Sequence, residues 1–370
     1  MGTMNKKKYF MQVVLVVLAL CIVLSGCTET LFNFSTTYQS HPTQISYTIR
    51  YGYELNSTGT GNYQINYDCN IPSVLAGSVS YQVLYDQEYQ QLRVYDNEFI
   101  SWNISNSDVA FYELGIEVTV VAETFFIEDL TGFHALTLQQ IRQIYPDTSS
   151  QYLKGQSNGT IYLINPYDSS IVNLANDIIS DAQTNNSFLL AKELFIWLKT
   201  NTQYKTHDQD IGVQPSLVTL EKRTGDCDDL SFLYISLCRS VGIPARFIRG
   251  YLLSEDTTGV VTAVPHAWAE VFVGGFIGNN GWITVECASA SSDATINIHQ
   301  NFGVESAHHL RLFVDDGSNE SLLKSTSAIS YSYTLGRHID VTSFAEIKEY
   351  VIIESKQLTI DTEDQRYYQE

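Results

Sequence analysis

The segment that decides the fold is the sequence TGDCDDL, which runs from Thr224 to Leu230. Its glycine and polar residues lead into apolar residues at helical spacing, so a helix is predicted to begin around Cys227. The apolar positions are Leu230, Leu233, Tyr234, Leu237, Cys238 and Val241. Unsatisfied amides and the positive end of the helix dipole stabilise a thiolate in a first turn. The position therefore favours Cys227 as a nucleophile.

Two features of the same segment oppose that interpretation. Asp228 and Asp229 suit a helix N-terminus, but their negative charges disfavour a thiolate, so a base has to supply more of the activation. A cysteine taken alone is also more often a buried structural thiol. The choice between the two interpretations of Cys227 depends on the residues downstream.

A base is predicted on the second of three strand-like segments, which are Ala245 to Leu253, Pro265 to Val273 and Trp282 to Cys287. Alternation places four side chains of the second segment on one face: His266, Trp268, Glu270 and Phe272. An imidazole on a rigid strand beside an indole is partly desolvated and well oriented for general-base catalysis. His266 is therefore the candidate base, with a hydrogen-bonded core residue as the alternative.

The third segment offers a carboxylate. Trp282, Thr284 and Glu286 share one of its faces. If the second and third segments pair antiparallel, Glu286 approaches the second imidazole nitrogen, fixes the tautomer and stabilises the imidazolium. Glu286 is the predicted acid of a catalytic triad. Asp293 is the fallback, and a surface or salt-bridging role is the alternative for Glu286.

Four motifs in this order resemble the core of the transglutaminase-like superfamily. They are GDCDD at 225–229, LCRSVGIPAR at 237–246, HAWAEV at 266–271 and Trp282 before an acidic residue. The resemblance spans Ile171 to Glu286 and implies a papain-like α+β fold, in which the helix that bears the cysteine packs on an antiparallel sheet. It also implies that residues 242–246 end this helix and start the sheet. The family usually has aspartate and proline where this chain has Glu286 and Cys287, which changes the reach of the carboxylate.

Other residues of the predicted site have supporting roles. The oxyanion hole would use the Cys227 amide and one side-chain donor, for which Gln214 and Tyr204 are candidates. Trp268 and Trp282 would line the cleft or pack its core. The pair His308-His309 suggests a metal, but adjacent residues of a strand face opposite ways and no matching ligand set is found, so a polar loop or strand without a metal is predicted. No EF-hand loop is recognisable, and no cofactor is expected.

The N-terminus has the pattern of a lipoprotein signal peptide over residues 1–26. Three lysines, Lys6 to Lys8, precede an apolar run from Tyr9 to Leu24. The following sequence LSGC resembles a bacterial lipobox, which implies lipidation of Cys27 and anchoring of the protein to a cell membrane. An uncleaved membrane anchor is the alternative. In either case the rest of the chain lies outside the membrane.

The remaining chain divides by its patterning. After a polar tether at 27–42, residues 43–165 show period-two segments separated by turns, which predict a β-sandwich with a binding or spacer role. Residues 166–310 begin with two amphipathic helices and form the predicted catalytic domain. Residues 311–370 are a C-terminal extension with a short helix at Ser343 to Ile353 and a disordered acidic tail.

Composition limits the possible partners. Hydrophobic residues make up 44% of the chain and charged residues 17%, as in globular proteins. A formal charge of −20 argues against binding to a phosphate backbone, so nucleic acid is excluded as a partner. With Cys21 in the leader and Cys27 lipidated, too few cysteines remain for a disulfide scaffold. Cys238 and Cys287 are either inert buried thiols or a pair.

A thiolate, a base and an oxyanion hole together imply acyl transfer through a thioester. The favoured function is hydrolysis of a peptide or amide bond, with a peptide or protein as substrate. The first alternative is a transglutaminase that crosslinks proteins through lysine amines. The second, from another class, is a surface adhesin or scaffold that keeps the fold without turnover.

Overall fold

The computed structural model describes residues 35–105, 110–146, 150–206, 212–288, 294–325, 329–361 and 366–369. The predicted signal peptide, the predicted lipidation site Cys27 and the fallback acid Asp293 lie outside these ranges. Within these ranges, no helix has the length and apolar character needed to cross a membrane.

The helices of the described chain are short. They are α1 (Leu138–Ile144), α2 (Ser169–Asp181), α3 (Ser187–Asn201), α4 (Ser216–Lys222), α5 (Cys227–Ser240), α6 (Ala294–Asn301) and α7 (Asn319–Ser325). The strands are β1 (Ser35–Gly59), β2 (Tyr63–Asn70), β3 (Gly77–Val83), β4 (Tyr89–Val94), β5 (Asn97–Ser105), β6 (Phe111–Glu123), β7 (Phe125–Phe126), β8 (Gln156–Ser157), β9 (Tyr162–Ile164), β10 (Gln203–Tyr204), β11 (Thr224–Gly225), β12 (Ala245–Glu255), β13 (Val261–Phe272), β14 (Trp282–Val285), β15 (Val304–Glu305), β16 (His309–Val314), β17 (Ser330–Tyr333), β18 (Arg337–Asp361) and β19 (Arg366–Gln369).

Two antiparallel sheets form the β-rich part of the molecule. One has the strand order β19-β18-β1-β6-β3 and the other β17-β2-β5-β4. Alternate residues of their strands face one shared core, which includes Ile45, Tyr47, Ile49, Ile65, Trp102, Leu114 and Ile116. This burial follows from period-two patterning, because successive side chains of a strand point to opposite faces.

The C-terminal segment differs from the prediction. The helix expected at Ser343 to Ile353 is wrong, because these residues belong to β18, which pairs antiparallel with β1 along its whole length. Pairing of Ile347 with Ile49 and of Tyr350 with Tyr47 outweighs the local helical spacing. Strand β19 pairs with the end of β18 where a disordered tail was expected, and β1 begins inside the predicted tether.

The second core lies between α5 and a four-stranded sheet of order β14-β13-β12-β16. Ala267, Ala269 and Val271 of β13 share this core with apolar residues of α5, including Leu230, Leu233 and Leu237. Helices α2 and α3 contribute to the same core. The antiparallel pairing of β12, β13 and β14 and the start of α5 at Cys227 confirm the predicted α+β core.

The turn after α5 is a helix-ending motif. Gly242 has φ +88°, its amide donates to Arg239 O, and the Ile243 amide donates to Cys238 O. A residue in this left-handed conformation is usually glycine. The Arg239 side chain then donates two hydrogen bonds to Ala245 O, the first residue of β12. This turn therefore fixes where the helix that bears the cysteine lies relative to the sheet.

Candidate active site

Cys227 is the first residue of α5. Asp226 caps the helix, and its carboxylate and that of Asp229 exchange hydrogen bonds with the amides of each other's residues. Gly225 is required just before the cap, since a Cβ there would lie 2.6 Å from the Asp229 Cβ. Cys227 remains partly accessible. The residue therefore lies at the positive end of the helix dipole, and part of it is accessible to solvent.

The other cysteines of the described chain have a different environment. Cys69, Cys238 and Cys287 are free and fully buried, so the pairing considered for Cys238 and Cys287 does not occur. Burial raises the pKa of Cys69 and of Cys238 to about 12, and it also raises the pKa of Cys287. These thiols are inert at neutral pH because the thiolate is the reactive form.

The two aspartates after the cysteine have separate roles. Asp229 is buried and accepts hydrogen bonds from the Gln214 amide at 2.7 Å and from Gln214 Nε2 at 2.9 Å. It therefore belongs to the helix cap. Burial raises the pKa of Asp228 to about 6, against the opposing effect of Arg249. Near this pH Asp228 is partly neutral, so it opposes a thiolate less than a fully charged carboxylate would.

His266 joins the thiol to Glu286. Its Nε2 lies 2.6 Å from Glu286 Oε2, and its ring also interacts with Cys227. Burial disfavours the imidazolium, but the charge of Glu286 and hydrogen bonds to Cys227 and Glu286 outweigh it and raise the pKa of His266 to about 10. Burial alone would raise the pKa of Glu286, but His266 and His309 face its carboxylate and lower this pKa. The structure thus brings together the three residues predicted as a triad.

The register of β13 and β14 explains this contact. Phe272 pairs with Trp282, and Ala269 pairs with Val285. Glu286 therefore follows the last paired residue of β14 and lies at the same end of the sheet as His266. The additional methylene of glutamate does not prevent the hydrogen bond.

His309 is a residue of the site that sequence analysis did not identify. It begins β16, and its Nε2 lies 3.2 Å from Glu286 Oε2. Its ring is 8% exposed. Adjacent residues of a strand face opposite ways, so the sequence already indicated that one residue of the pair His308-His309 would point inward. The sequence did not specify which histidine this is, nor that Glu286 would meet it.

His266, Glu286 and His309 are also a group, within the described residues, that could hold a metal ion. Their ligand atoms all lie within 4.8 Å of one another. Two imidazoles and a carboxylate suit a transition metal. Hydrogen bonds to Glu286 satisfy the same atoms without one.

A pocket of about 410 Å³ opens beside these side chains. Its lining residues are Tyr204, Leu252, Ser254, Val264, Pro265, His266, Glu286, Ala288, Asn301 and His309. Most of its other walls are apolar or uncharged, so the polar groups of the site face a space that can hold part of a substrate.

The two oxyanion candidates lie in different places. Tyr204 lines the pocket, and burial together with the nearby Cys227 raises the pKa of its hydroxyl, which keeps it a donor. The Gln214 side chain is instead buried, where it donates to Asp229 and Thr224 O and accepts from Lys222. Both ends of its amide are used in holding the segment before α5, so Tyr204 is the candidate that faces the pocket.

The two tryptophans lie in different parts of the domain. Trp268 is fully buried and packs against His266 at 5.8 Å and His309 at 4.9 Å between ring centroids. Its Nε1 donates to Glu305 at 3.0 Å, which fixes the indole beneath both imidazoles. Trp282 lies opposite Phe272, at the other end of β14, against the Arg246 guanidinium. Trp268 therefore supports the site from below, and Trp282 belongs to the packing away from it.

Comparison with known proteins places this site in a recognised domain. Residues 172–287 match the transglutaminase-like superfamily. This segment contains Cys227, His266 and Glu286, whereas His309 lies beyond it. The uncharacterized protein YebA of Bacillus subtilis (strain 168) is 30% identical over 106 residues, which cover 26% of this chain and only 13% of that protein.

Two of the solved structures that resemble this chain are bacterial proteins. A proposed cysteine protease from Cytophaga hutchinsonii is 15% identical with a TM-score of 0.46, covering 84% of this chain and 92% of that chain. The periplasmic domain of TgpA from Pseudomonas aeruginosa, bound to ethylmercury, is 12% identical with a TM-score of 0.31, covering 73% of this chain and 99% of that chain.

Proposed function

We propose that this protein is an extracytoplasmic thiol acyl-transfer enzyme that hydrolyses peptide or amide bonds. Cys227 is the nucleophile, His266 the acid and base, and Glu286 the orienting carboxylate. One observation carries the proposal: His266 lies 2.6 Å from a buried carboxylate and interacts with the Cys227 thiol at the N-terminus of α5. A histidine between a nucleophile and an orienting acid is the arrangement of a triad.

The first half of the reaction forms a thioester. The Cys227 thiolate attacks the carbonyl carbon of the substrate, and the carbonyl π electrons move to oxygen. As the oxyanion collapses, the C–N bond breaks and the His266 imidazolium gives its proton to the leaving amine. Glu286 keeps His266 protonated at neutral pH before this step, since it contributes to the raised pKa of that ring.

The second half releases the acyl group. Neutral His266 takes a proton from water, and the resulting hydroxide attacks the thioester carbon. The C–S bond then breaks, the carboxylic acid leaves, and the thiolate is restored beside the imidazolium. In both halves the Cys227 amide and the Tyr204 hydroxyl are the proposed donors to the oxyanion.

Hydrolysis is favoured over crosslinking because it needs only water as the second substrate. The pocket of about 410 Å³ beside His266 is open enough to admit it. Crosslinking would need a lysine side chain to reach the same carbon from a second protein.

The test of the triad is the rate at which iodoacetamide alkylates Cys227, followed by mass spectrometry of the tryptic peptide. The wild-type protein should react rapidly at pH 7, and His266→Ala should slow the reaction at least about tenfold, since the thiolate loses its paired cation. Cys238→Ala is the matched control, as it removes a buried thiol from the same helix. Equal, slow labelling of Cys227 in wild type and His266→Ala would refute the proposal that the protein is an enzyme with this triad.

The test of the reaction uses glutamine-containing peptides with and without a primary amine. Cleaved or deamidated peptide without amine adduct is the expected product, and it should be missing with Cys227→Ala. A predominant amine adduct would instead show crosslinking.

The proposed location rests on the N-terminal sequence. We propose that Cys27 is acylated and holds the protein on the outer side of a cell membrane. After expression in a bacterial host that processes lipoproteins, the wild-type protein should sediment with membranes, whereas Cys27→Ser should not carry lipid by mass spectrometry. Unmodified Cys27 in the mature wild-type protein would refute lipid anchoring.

A further inference from the structure

The carboxylate of Glu286 has two hydrogen-bond partners besides His266. Oε2 faces His266 Nε2 at 2.6 Å and His309 Nε2 at 3.2 Å. Oε1 accepts a hydrogen bond from the Ala288 amide at 2.7 Å. Three donors from different parts of the chain therefore converge on one side chain.

His309 is itself held in place. Its backbone pairs with Leu252 of β12, and its ring packs edge-on against Trp268 at 4.9 Å. Its Nδ1 lies 2.9 Å from Ser306 Oγ. Both ring nitrogens thus have partners, so the ring cannot rotate without losing a hydrogen bond to one of them.

The partner of His309 Nε2 defines which nitrogen carries the proton in the neutral ring. Ionised Glu286 can only accept, so His309 Nε2 carries the proton of that hydrogen bond. In the neutral ring, the Ser306 hydroxyl then donates to Nδ1. The result is a continuous hydrogen-bonded series from Ser306 through His309 and Glu286 to His266.

These hydrogen bonds matter because the proposed acid is a glutamate. Glutamate has one more rotatable bond than aspartate, and holding it in one conformation costs rotamer entropy. Donors on both oxygens offset this cost, because the Ala288 amide and His309 select a single orientation of the carboxylate. With only His266 as partner, the longer side chain could turn its carboxylate away.

We propose that His309 is a positioning residue of the triad, which holds Glu286 in the orientation that aligns His266 with Cys227. This inference rests on the proposed function. In this proposal His309 acts through Glu286 and not on the thiol.

Among the described residues, two titratable side chains face the His309 ring and a third is its neighbour in the chain. They are Glu286, His266 and its neighbour His308. Burial lowers the pKa of His308 to about 4, helped by His309 and His41, so His308 is uncharged at neutral pH. His308 faces away and its Nε2 lies 2.8 Å from the Tyr350 hydroxyl. His308→Ala is therefore a matched control that removes an adjacent imidazole without touching Glu286.

The experiment compares alkylation rates of Cys227 at pH 7 in full-length variants. His309→Asn, whose amide is too short to reach Glu286, should slow the reaction about tenfold, because a hydrogen bond to a charged group is lost. His309→Gln should retain most of the rate, since its Nε2 is separated from Cα by the same number of bonds as that of histidine. His308→Ala should react as the wild type does.

A double-mutant cycle separates positioning from a general effect on folding. In the Glu286→Ala background, His309→Asn should slow alkylation no further, because the group it positions is gone. Thermal unfolding of each variant, followed by circular dichroism, confirms that the proteins compared are folded.

The outcomes distinguish the two proposals. If Glu286→Ala and His266→Ala both alkylate at the wild-type rate, the proposed triad fails, whatever His309 does. If Glu286→Ala is slow but His309→Asn matches the wild type, or if His309→Asn slows both backgrounds equally, the positioning role is overturned and the triad stands. Equal rates for His309→Asn and His309→Gln would overturn it as well.

Discussion

Replacing Glu286 with glutamine removes the negative charge that faces His266 and keeps the length of the side chain. Both side chains are about nine-tenths buried, so water and salt screen their interaction little. Burial disfavours the imidazolium, yet Glu286 and Cys227 raise the pKa of His266 from its ordinary 6.5 to about 10. Glu286→Gln should therefore reduce the affinity of His266 for its proton.

The size of the effect follows from the hydrogen bond of 2.6 Å. A hydrogen bond to a charged group contributes about 1.5–3 kcal/mol, and about 1.4 kcal/mol changes a pKa by one. Loss of the charge should thus lower the pKa of His266 by about 1 to 2. In the proposed mechanism Cys227 passes its proton to His266, so the ratio of the thiolate–imidazolium pair to the neutral pair should fall about 10- to 100-fold.

The assay is the alkylation rate of Cys227 as a function of pH. In the wild type the upper inflection should lie near pH 10, where His266 loses its proton. In Glu286→Gln this inflection should move to lower pH, and the rate near neutral pH should fall. Glu255→Gln, an exposed acid at the end of β12, is the control. Superimposable pH profiles for wild type and Glu286→Gln would refute the reasoning.

The cap of α5 predicts that Asp229→Ala lowers the free energy of unfolding by about 2–4 kcal/mol in urea titrations, because a cap and buried hydrogen bonds are lost; exposed Asp177→Ala should change it by less than about 0.5 kcal/mol. A similar loss of unfolding free energy in both variants would contradict the role of Asp229 in the helix cap. Strand β18 predicts that Ile339→Asp, at a position that is 3% exposed, costs about 3 kcal/mol or more, whereas Ile352→Asp, at 46%, costs far less; equal midpoints in thermal unfolding would count against the strand. Because the pKa of His266 is raised in the folded protein, its pairing stabilises the fold fully below about pH 6.5 and loses that effect as the pH rises through about 10. The difference in Tm between wild type and His266→Gln, measured by calorimetry, should therefore narrow over this range, and a constant difference would exclude the linkage.

The local sequence determines the parts of the site that depend on neighbouring residues. Gly225, the cap at Asp226 and the apolar spacing after Cys227 specify where α5 begins, because helix capping involves residues three apart. Alternation along β13 places Ala267 and Ala269 towards α5 and His266 towards the site. These patterns involve residues close together in the chain, so they can be recognised from the sequence alone.

Tertiary structure decides which distant residues meet. His309 reaches Glu286 because β16 pairs with β12, and Gln214 is drawn to Asp229 rather than to the pocket. Residues 343–353 are a strand because β1 offers them a partner about 300 positions earlier in the chain. Pairing of distant strands depends on the whole packed arrangement and leaves no periodic signal in the sequence. The local sequence thus determines the proposed nucleophile, base and acid, whereas the fold alone determines which residues contact the proposed acid.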